Sequence, residues 1–375
     1  MTDSNSTLHS QAVQALFKPL KLGKLTLSNR IVMAPMTRGF SPDGVPGENV
    51  ADYYRRRAEG GVALIITEGT LVNHPAASSS PNYPSFFGEA ALNGWAQVVA
   101  SVHKAGGLIF PQLWHQGTQR KIGDLPNVAA LPVGPSGRNA AGVKVNEPLT
   151  EAEIADIVQA FAQAAADAKR IGFDGIELHG AHGYLIDQFF WEQTNQRTDK
   201  YGGDIVGRTR FATEIIAACR LAVGPDFPIC LRISQWKEAI YTNKLAENPE
   251  ELGQFLTPLV EAGVDIFHCS TRRFWEPEFE GSELNFAGWV KKLTGKPTIT
   301  VGSIGLDGEF LGSFAGKSSG TESIDKLLVR LEQEEFDLVA VGRALLVDPE
   351  WPHKIKAGKK DELLPFTSDA FGKLY

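Results

Sequence analysis

Cysteine is scarce in this sequence. Its 375 residues include three cysteines, Cys219, Cys230 and Cys269, and their spacing matches neither a disulfide framework nor a zinc motif. An iron–sulfur cluster needs four cysteine ligands, or histidines that replace some of them, so the chain lacks the ligands for such a cluster. We therefore expect three buried thiols and a reducing, cytoplasmic location.

Long hydrophobic runs and basic clusters are scarce as well. No apolar segment approaches the roughly 18 residues that a membrane-spanning helix needs, which argues against a membrane protein. The formal net charge is −7, and outside 55–57 the basic residues are scattered, which argues against nucleic acid as a partner. Residues 1–15 are expected to form a flexible tail, because they lack an apolar signal core, and 16–375 to form one domain.

Short β-branched segments alternate with longer amphipathic segments along nearly the whole chain, as is typical of parallel strands joined by crossover helices. Strands are predicted at 30–37, 62–70, 107–114, 174–180, 228–235, 264–270, 297–302 and 337–342. Helices are predicted near 48–59, 91–105, 150–171, 205–223, 249–262, 285–294, 321–335 and 348–357. Eight such units, without a Gly-x-Gly-x-x-Gly motif, favour a single α/β domain with a (β/α)8 TIM barrel over an open doubly wound sheet.

Two further features complete the predicted barrel. Residues 20–27 alternate in polarity around Gly23, which predicts an N-terminal hairpin that closes the lower mouth of the barrel. Long segments, 116–148 and 272–283, follow the third and sixth predicted barrel strands. Because the active sites of such barrels lie at the carboxyl ends of the strands, we expect these two loops to shape a pocket.

The most informative segment is 174–184, where an apolar strand ends with His179, His182 and Tyr184 close together. Two imidazoles and a phenol at this end of a barrel strand can stabilise an oxyanion and transfer a proton. Zinc binding is a weaker interpretation, because the histidines lack helical i, i+4 spacing and a third ligand. Tyr184 taken alone is equally compatible with a loop anchor. The remaining histidines are expected to be structural: His9, His74, His103, His115, His268 and His353.

Two glycine-containing segments end the seventh and eighth predicted strands, where barrels of this kind commonly bind phosphate. They are Val301-Gly302-Ser303-Ile304-Gly305 and Val341-Gly342-Arg343-Ala344. Glycine lets a phosphate approach the backbone and Arg343 offers a charge-assisted fork, but each segment alone is equally compatible with an ordinary turn. Arg232 lies inside an otherwise apolar strand, where a buried guanidinium needs an anionic or carbonyl partner.

A set of motifs occurs in order between about residue 16 and residue 352. They are 16–23, Asn29-Arg30-Ile31-Val32-Met33-Ala34-Pro35-Met36-Thr37-Arg38, Gln112-Leu113-Trp114-His115, 179–184, Leu231-Arg232-Ile233-Ser234 and the two glycine segments. Together these motifs resemble the old yellow enzyme family of FMN-dependent ene-reductases. Having Thr37 where another branch of that family has a redox-tuning cysteine, the chain is similar to the classical branch.

The resemblance implies FMN bound across the barrel mouth. The implied cofactor residues are Ala34, Pro35, Met36 and Gly69 beside the isoalloxazine, Thr37 at its O4, Gln112 at its pyrimidine edge, Arg232 at N1 and O2, and Gly302, Ser303, Gly342 and Arg343 at the phosphate. It also implies that Trp114, His179 and His182 bind the substrate. A guanidinium near N1 would stabilise the negative charge of a reduced flavin, and a hydroxyl at O4 would make the ring a better electron acceptor.

By the same resemblance, we expect an NAD(P)H oxidoreductase that reduces activated C=C bonds of α,β-unsaturated carbonyl compounds by a ping-pong mechanism. His179 and His182 would bind the carbonyl oxygen, hydride would pass from flavin N5 to the β-carbon, and Tyr184 would protonate the α-carbon. Nitro compounds, nitrate esters and quinones are further candidate acceptors, and NADH and NADPH remain alternatives as donor, as do monomer and homo-oligomer. The alternative function is a flavin- or phenol-binding protein with little turnover, which would not need Tyr184. An aldolase would need a strand-end lysine, and no predicted strand has one.

The chain departs from the family pattern at three places. His182 stands where many relatives have asparagine, and Ser234-Gln235-Trp236 stands where the family often has Ser-Pro. The segment 272–279 does not correspond to a family motif. Because both histidine and asparagine can donate to an oxygen, we expect these differences to affect substrate preference and to leave FMN binding intact.

Overall fold

The computed structural model describes residues 12–237, 240–308, 312–313 and 315–375, so most of the predicted tail, residues 1–11, lies outside the described residues. The predicted hairpin is present as β1 (Leu20–Leu22) and β2 (Leu25–Leu27), which pair antiparallel. The barrel strands are β3 (Ile31–Met33), β4 (Leu64–Leu71), β5 (Leu108–Trp114), β6 (Ile176–Gly180), β7 (Ile229–Ser234), β8 (Ile266–Ser270), β9 (Thr298–Val301) and β10 (Leu338–Val341). They form a closed parallel barrel in which β10 pairs with β3, which confirms the predicted TIM barrel.

Helices connect the barrel strands. They are α1 (Glu48–Glu59), α2 (Glu89–Lys104), α3 (Glu151–Arg170), α4 (Leu185–Phe190), α5 (Arg210–Val223), α6 (Pro249–Ala262), α7 (Phe286–Thr294), α8 (Asp325–Glu332), α9 (Arg343–Val347) and α10 (Trp351–Lys356). The sequence did not predict α4 and α9, which have six and five residues, whereas α10, with six residues, lies within the predicted helix 348–357. Across the described residues, no helix combines the length and apolarity needed to cross a bilayer.

Two helices begin where their local sequence satisfies the first free N–H groups. At α3, Thr150 Oγ1 accepts from the Glu153 N–H at 3.2 Å, and the Glu153 carboxylate accepts from the Thr150 N–H at 2.7 Å. At α6, Asn248 Oδ1 accepts from the Glu251 N–H at 2.9 Å, and Pro249 occupies the first turn. Each such cap is worth about 1 kcal/mol. Both starts are recognisable in the sequence because the capping residue and its partner are only three positions apart.

The barrel interior has an apolar lower layer and a polar upper layer. The lower layer packs against the hairpin in one cluster that includes Leu22, Leu27, Val32, Leu64, Phe110, Cys230, Ile266, Ile299 and Leu338. Since side chains alternate along a strand, residues two positions further on face the same side of the barrel wall. Those residues are Gln112 after Phe110, Arg232 after Cys230 and His268 after Ile266. The hairpin therefore closes the lower mouth as predicted, and the polar groups lie toward the carboxyl ends.

Candidate active site

Five polar side chains of the upper layer come from four adjacent strands. In the strand register Gln112 lies opposite Glu177, His179 opposite Arg232, and Arg232 opposite His268. All five side chains are buried. The Glu177 carboxylate accepts from Gln112 Nε2 at 2.8 Å and lies 2.7 Å from His268 Nδ1. The barrel thus brings together three residues that the sequence predicted, and it adds Glu177 and His268.

The predicted histidines and tyrosine form one aromatic cluster at the barrel mouth. The ring of His179 lies 5.2 Å from that of His182 and 4.8 Å from that of Tyr184, between centroids. Trp114 packs edge-on against Tyr184 at 4.9 Å. The cluster therefore places two imidazoles, a phenol and an indole against one another at the carboxyl ends of the barrel strands.

His182 adopts a strained backbone conformation that its neighbours hold in place. Its φ is 63°, which is uncommon for a residue other than glycine. Its N–H donates to Ser234 Oγ at 3.1 Å, and its Nε2 lies 2.8 Å from Ser270 Oγ. The Trp236 indole stacks on the imidazole at 4.5 Å and 21°. Ser234 at the end of β7 therefore holds the backbone of His182, and Ser270 at the end of β8 and Trp236 in the loop after β7 hold its ring.

Both histidines of the cluster are neutral near pH 7. Burial, and then the positive charge of Arg232, hold the pKa of His179 and the pKa of His182 well below the usual value for histidine. A neutral imidazole has one N–H donor and one acceptor nitrogen. Each ring can therefore donate one hydrogen bond to an oxygen without bringing in an extra positive charge.

Trp114 forms one wall of the cluster, and Gly69 makes room for it. A Cβ atom at Gly69 would lie 2.6 Å from Cε3 of the Trp114 indole, so no larger residue fits without displacing that ring. Tyr83 also packs against Trp114, with 5.6 Å between ring centroids. The structure therefore brings the predicted residues Gly69 and Trp114 into direct contact.

The segment after β3 lies beside the end of β10. Ala34 and Pro35 are buried, Met36 is half-buried and Thr37 is exposed. A Cβ atom on Gly342 would lie 3.6 Å from Met36 Sδ and 3.8 Å from the Ala34 Cβ. The exposed hydroxyl of Thr37 and the bare backbone of Gly342 thus belong to the same rim of the barrel.

The segment after β9 packs closely under the loop after β8. Gly302 has a φ of 151°, and a Cβ atom there would lie 2.7 Å from Thr271 Oγ1. Ser303 has a φ of 52°, and its hydroxyl donates to the Arg272 carbonyl oxygen at 3.2 Å. The glycine is therefore required both by its backbone conformation and by the close approach of the neighbouring loop.

Arg343 begins α9, and its buried guanidinium points toward the segment 308–319. It donates to Ser313 Oγ at 2.8 Å, to Ser319 Oγ at 3.1 Å and to the Gly308 carbonyl oxygen at 2.6 Å. Residues 309–311 and 314 of that segment lie outside the described residues. The two serine hydroxyls are further candidates for an anion site that the sequence did not indicate.

Several buried polar atoms in the cluster fit a planar cofactor with carbonyl and N–H groups. Arg232 Nε, His179 Nδ1 and Trp114 Nε1 are buried without a hydrogen-bond partner among the described residues. Unpaired buried groups are costly, so a guanidinium nitrogen in this position is suited to a ligand with acceptor atoms. Within the described parts of the chain, no three His, Cys, Asp or Glu side chains are grouped to hold a metal ion. The donor set therefore fits a flavin.

The sequence did not single out Glu177, His268 or the buried ion pair between Lys237 Nζ and Asp187 Oδ1 at 2.5 Å. Glu177 did have a signal, because it is a charged residue inside an apolar strand, as Arg232 is. We expected His268 to be structural. It comes two residues after Ile266 on β8 and therefore also faces the barrel interior. Lys237 and Asp187 are far apart in the sequence, and only the tertiary fold pairs them.

Comparisons with known proteins point to one family. Residues 15–362 match the NADH:flavin oxidoreductase / NADH oxidase family. The chain is 38% identical over 357 residues to NADH oxidase of Thermoanaerobacter brockii, an alignment that covers 93% of this chain and 52% of that protein. It is 41% identical over 354 residues to 12-oxophytodienoate reductase 7 of Oryza sativa subsp. japonica, covering 89% of this chain and 86% of the relative.

The fold of a solved structure agrees with these sequence matches. Morphinone reductase in complex with tetrahydroNAD superposes with a TM-score of 0.77 at 31% identity, covering 92% of this chain and 90% of that one. The chain spans about half the length of the Thermoanaerobacter protein and most of the length of the two reductases. This protein therefore belongs to the NADH:flavin oxidoreductase / NADH oxidase family, which is the old yellow enzyme family of FMN-dependent oxidoreductases.

Proposed function

We propose that this protein reduces the activated C=C bond of α,β-unsaturated aldehydes and ketones, with FMN as the bound cofactor and NAD(P)H as the hydride donor. The observation that supports this best is the grouping of His179, His182 and Tyr184 beside the buried guanidinium of Arg232. The relatives named as reductases of 12-oxophytodienoate and morphinone, both oxo compounds, support the same substrate class. Nitro compounds and nitrate esters offer similar oxygen atoms to the two imidazoles.

The residues at the barrel mouth would hold FMN. We assign its ring to Ala34, Pro35, Met36, Thr37, Gly69, Gln112 and Arg232, and its phosphate to Gly302, Ser303, Gly342 and Arg343. When bound, FMN accepts a hydride from NAD(P)H and delivers it to the β-carbon of the acceptor. Arg232 would satisfy its unpaired Nε on the pyrimidine edge of the ring, and its fixed positive charge would favour negative charge there. Thr37 would donate its exposed hydroxyl to O4.

His179 and His182 would form the oxygen-binding pair. Each neutral imidazole can donate one N–H to the carbonyl oxygen, which gains negative charge as hydride reaches the β-carbon. Ser270 can donate its hydroxyl to Nε2 of His182, which leaves a proton on the second ring nitrogen of His182. Two preorganised donors in a buried site stabilise the developing enolate more than they stabilise the neutral substrate, and this difference lowers the barrier.

Tyr184 would supply the proton that completes the reduction. Its ring lies against both His179 and Trp114, so the phenol borders the space in which the oxygen-binding pair would hold the acceptor. A positioned phenol can act as a general acid toward the carbanion-like α-carbon. Hydride and proton would then arrive from opposite sides of the C=C bond.

The proposed order of the two half-reactions is ping-pong. Trp114, Tyr184 and the two histidines border one space, which supports the view that the nicotinamide and the acceptor use it in turn. The nicotinamide would leave after giving up its hydride, and the acceptor would then bind to the same residues.

The experiment is a spectrum followed by two half-reactions. The purified protein should contain FMN, lose its flavin absorbance with NADPH or NADH under anaerobic conditions, and regain that absorbance with 2-cyclohexenone. Replacing His179 or His182 with leucine should slow the second step by about 100-fold or more, because an oxyanion donor is worth that much, and should slow the first step much less, because no oxyanion forms there. His353→Leu is the control, since that side chain is half exposed and pairs with Glu350 on the surface.

Three results would refute the proposal or part of it. If the purified protein takes up no FMN on titration, the proposed flavin-dependent reaction is ruled out. A flavoprotein that NAD(P)H reduces, but that no enone, enal, nitro compound or quinone reoxidises faster than oxygen does, would instead be the flavin- or phenol-binding protein considered above. Phenol affinity that stays unchanged in both histidine variants would show that the pair does not bind an oxygen.

A further inference from the structure

Glu177 is a fully buried carboxylate in the wall of the barrel, directly behind the proposed flavin residues. Its Oε1 accepts from Gln112 Nε2 at 2.8 Å, and its Oε2 lies 2.7 Å from His268 Nδ1 and 3.5 Å from Cys230 Sγ. Arg232 lies next to His268 in the strand register. The carboxylate thus has three polar neighbours and no solvent contact.

The carboxylate determines which way the Gln112 amide is turned. An ionised carboxylate can only accept hydrogen bonds, so the amide group must present its NH2 to Glu177. The Gln112 backbone is held separately, because its N–H donates to Thr67 Oγ1 at 3.1 Å and its carbonyl oxygen accepts from Thr70 Oγ1 at 3.0 Å. The amide oxygen of Gln112 is therefore the atom left for a ligand N–H in the barrel mouth.

The carboxylate also adds a negative charge close to Arg232. Burial alone would raise the pKa of Glu177, but its hydrogen bond with His268, the positive charge of Arg232 and the Gln112 hydrogen bond hold the pKa below its usual value. Burial lowers the pKa of His268, which leaves that imidazole neutral with its Nδ1–H toward the carboxylate. One positive and one negative charge therefore share this layer of the barrel, and the attraction of Arg232 for an anion is reduced.

We propose that Glu177 is a positioning residue that turns the Gln112 amide toward the flavin and, by partly offsetting the charge of Arg232, lowers the reduction potential of the bound flavin. This inference rests on the proposed placement of the flavin ring against Gln112 and Arg232. A less positive surrounding keeps the reduced cofactor a stronger hydride donor, which suits acceptors that are hard to reduce.

The test is the midpoint potential of the flavin in the purified holoenzyme with Glu177→Gln. Without the carboxylate charge, the affinity for the reduced flavin relative to the oxidised flavin should rise at least tenfold, a positive shift of about 30 mV for a two-electron couple. Glu335→Gln is the matched control, because Glu335 is also a buried, ion-paired glutamate but packs against α7 outside the barrel. An unchanged or lower potential in Glu177→Gln would overturn the charge effect.

The effect of Glu177 on the orientation of Gln112 is tested with a second variant, Glu177→Asp. This variant also keeps the proposal testable if Glu177→Gln folds poorly. Glu177→Asp keeps the charge but withdraws the carboxylate from Gln112, so FMN should bind at least fivefold more weakly while the potential changes little. Unaltered FMN affinity in this variant would overturn the orienting role. Arg232→Gln distinguishes an error in the placement of the flavin ring from an error in the role of Glu177. If the ring lies against Arg232, this variant should lower the potential or abolish FMN binding. If Arg232→Gln does neither, the placement of the ring is wrong; if it does either and Glu177→Gln has no effect, only the inference about Glu177 fails.

Discussion

Replacing Tyr184 with phenylalanine removes one hydroxyl and leaves the aromatic cluster in place. The ring contacts with His179 at 4.8 Å and with Trp114 at 4.9 Å do not involve the phenol oxygen, and phenylalanine can keep both. The backbone of Tyr184 accepts from the Gln188 N–H at 2.8 Å in the first turn of α4, and the substitution does not alter that bond. We therefore expect a loss of folding free energy no larger than the roughly 0.5 to 1.5 kcal/mol of one hydrogen bond.

The two half-reactions should respond very differently to Tyr184→Phe. Hydride transfer from NAD(P)H requires no proton from the protein, so flavin reduction should stay within a few-fold of the wild-type rate. Reduction of an enone requires a proton at the α-carbon, and loss of a positioned general acid typically costs about 10² to 10⁴-fold. That range corresponds to about 2.7 to 5.4 kcal/mol of activation free energy, well above the expected structural effect. Quinones and nitro compounds, which need no proton on carbon, should be largely unaffected.

Stopped-flow measurement of each half-reaction checks this prediction, with NADPH for the first and 2-cyclohexenone for the second. Tyr83→Phe is a suitable control, because Tyr83 packs against the same indole at 5.6 Å and, among the described residues, makes no ring contact with His179 or His182. Equal slowing of both steps in Tyr184→Phe would indicate general damage to the site. Unchanged enone reduction would show that Tyr184 is a packing residue and that solvent or another group supplies the proton.

Three further perturbations have defined outcomes. Lys237→Met leaves the Asp187 carboxylate buried without its partner, so urea denaturation should show a loss of about 3 to 5 kcal/mol in the free energy of unfolding. Gly69→Ala forces the Trp114 indole away from a 2.6 Å contact, and we expect altered tryptophan fluorescence, weaker phenol binding and a stability loss of about 1 to 3 kcal/mol. Burial and its histidine neighbour hold the pKa of His115 well below the unfolded value, so the unfolded chain binds more protons below pH 6.5 and stability falls as the pH falls. In His115→Gln, the loss of unfolding free energy between pH 7 and pH 5 should be smaller by up to about 1.4 kcal/mol per pH unit, and an identical pH dependence would contradict this assignment.

The sequence by itself determined those features whose signal lies within a short stretch of the chain. The strands were predictable because β-branched segments alternate with amphipathic ones. Seven of the eight barrel strands lie within the predicted ranges, and β4 extends one residue beyond its range, to Leu71. The α3 and α6 starts were predictable because their caps are made within three residues. The segment with His179, His182 and Tyr184 was recognisable for the same reason, since all three chemical groups lie in one stretch of chain.

Only the tertiary structure decided which distant residues meet. The buried pair of Lys237 and Asp187 and the stacking of Trp236 on His182 join segments about fifty residues apart, and no local pattern specifies such a pairing. Strand register likewise placed Glu177 against Gln112 and His268. The physical reason is that alternation along a strand determines which side chains share a face, whereas barrel closure and register determine the neighbours across it, and both depend on contacts along the whole chain.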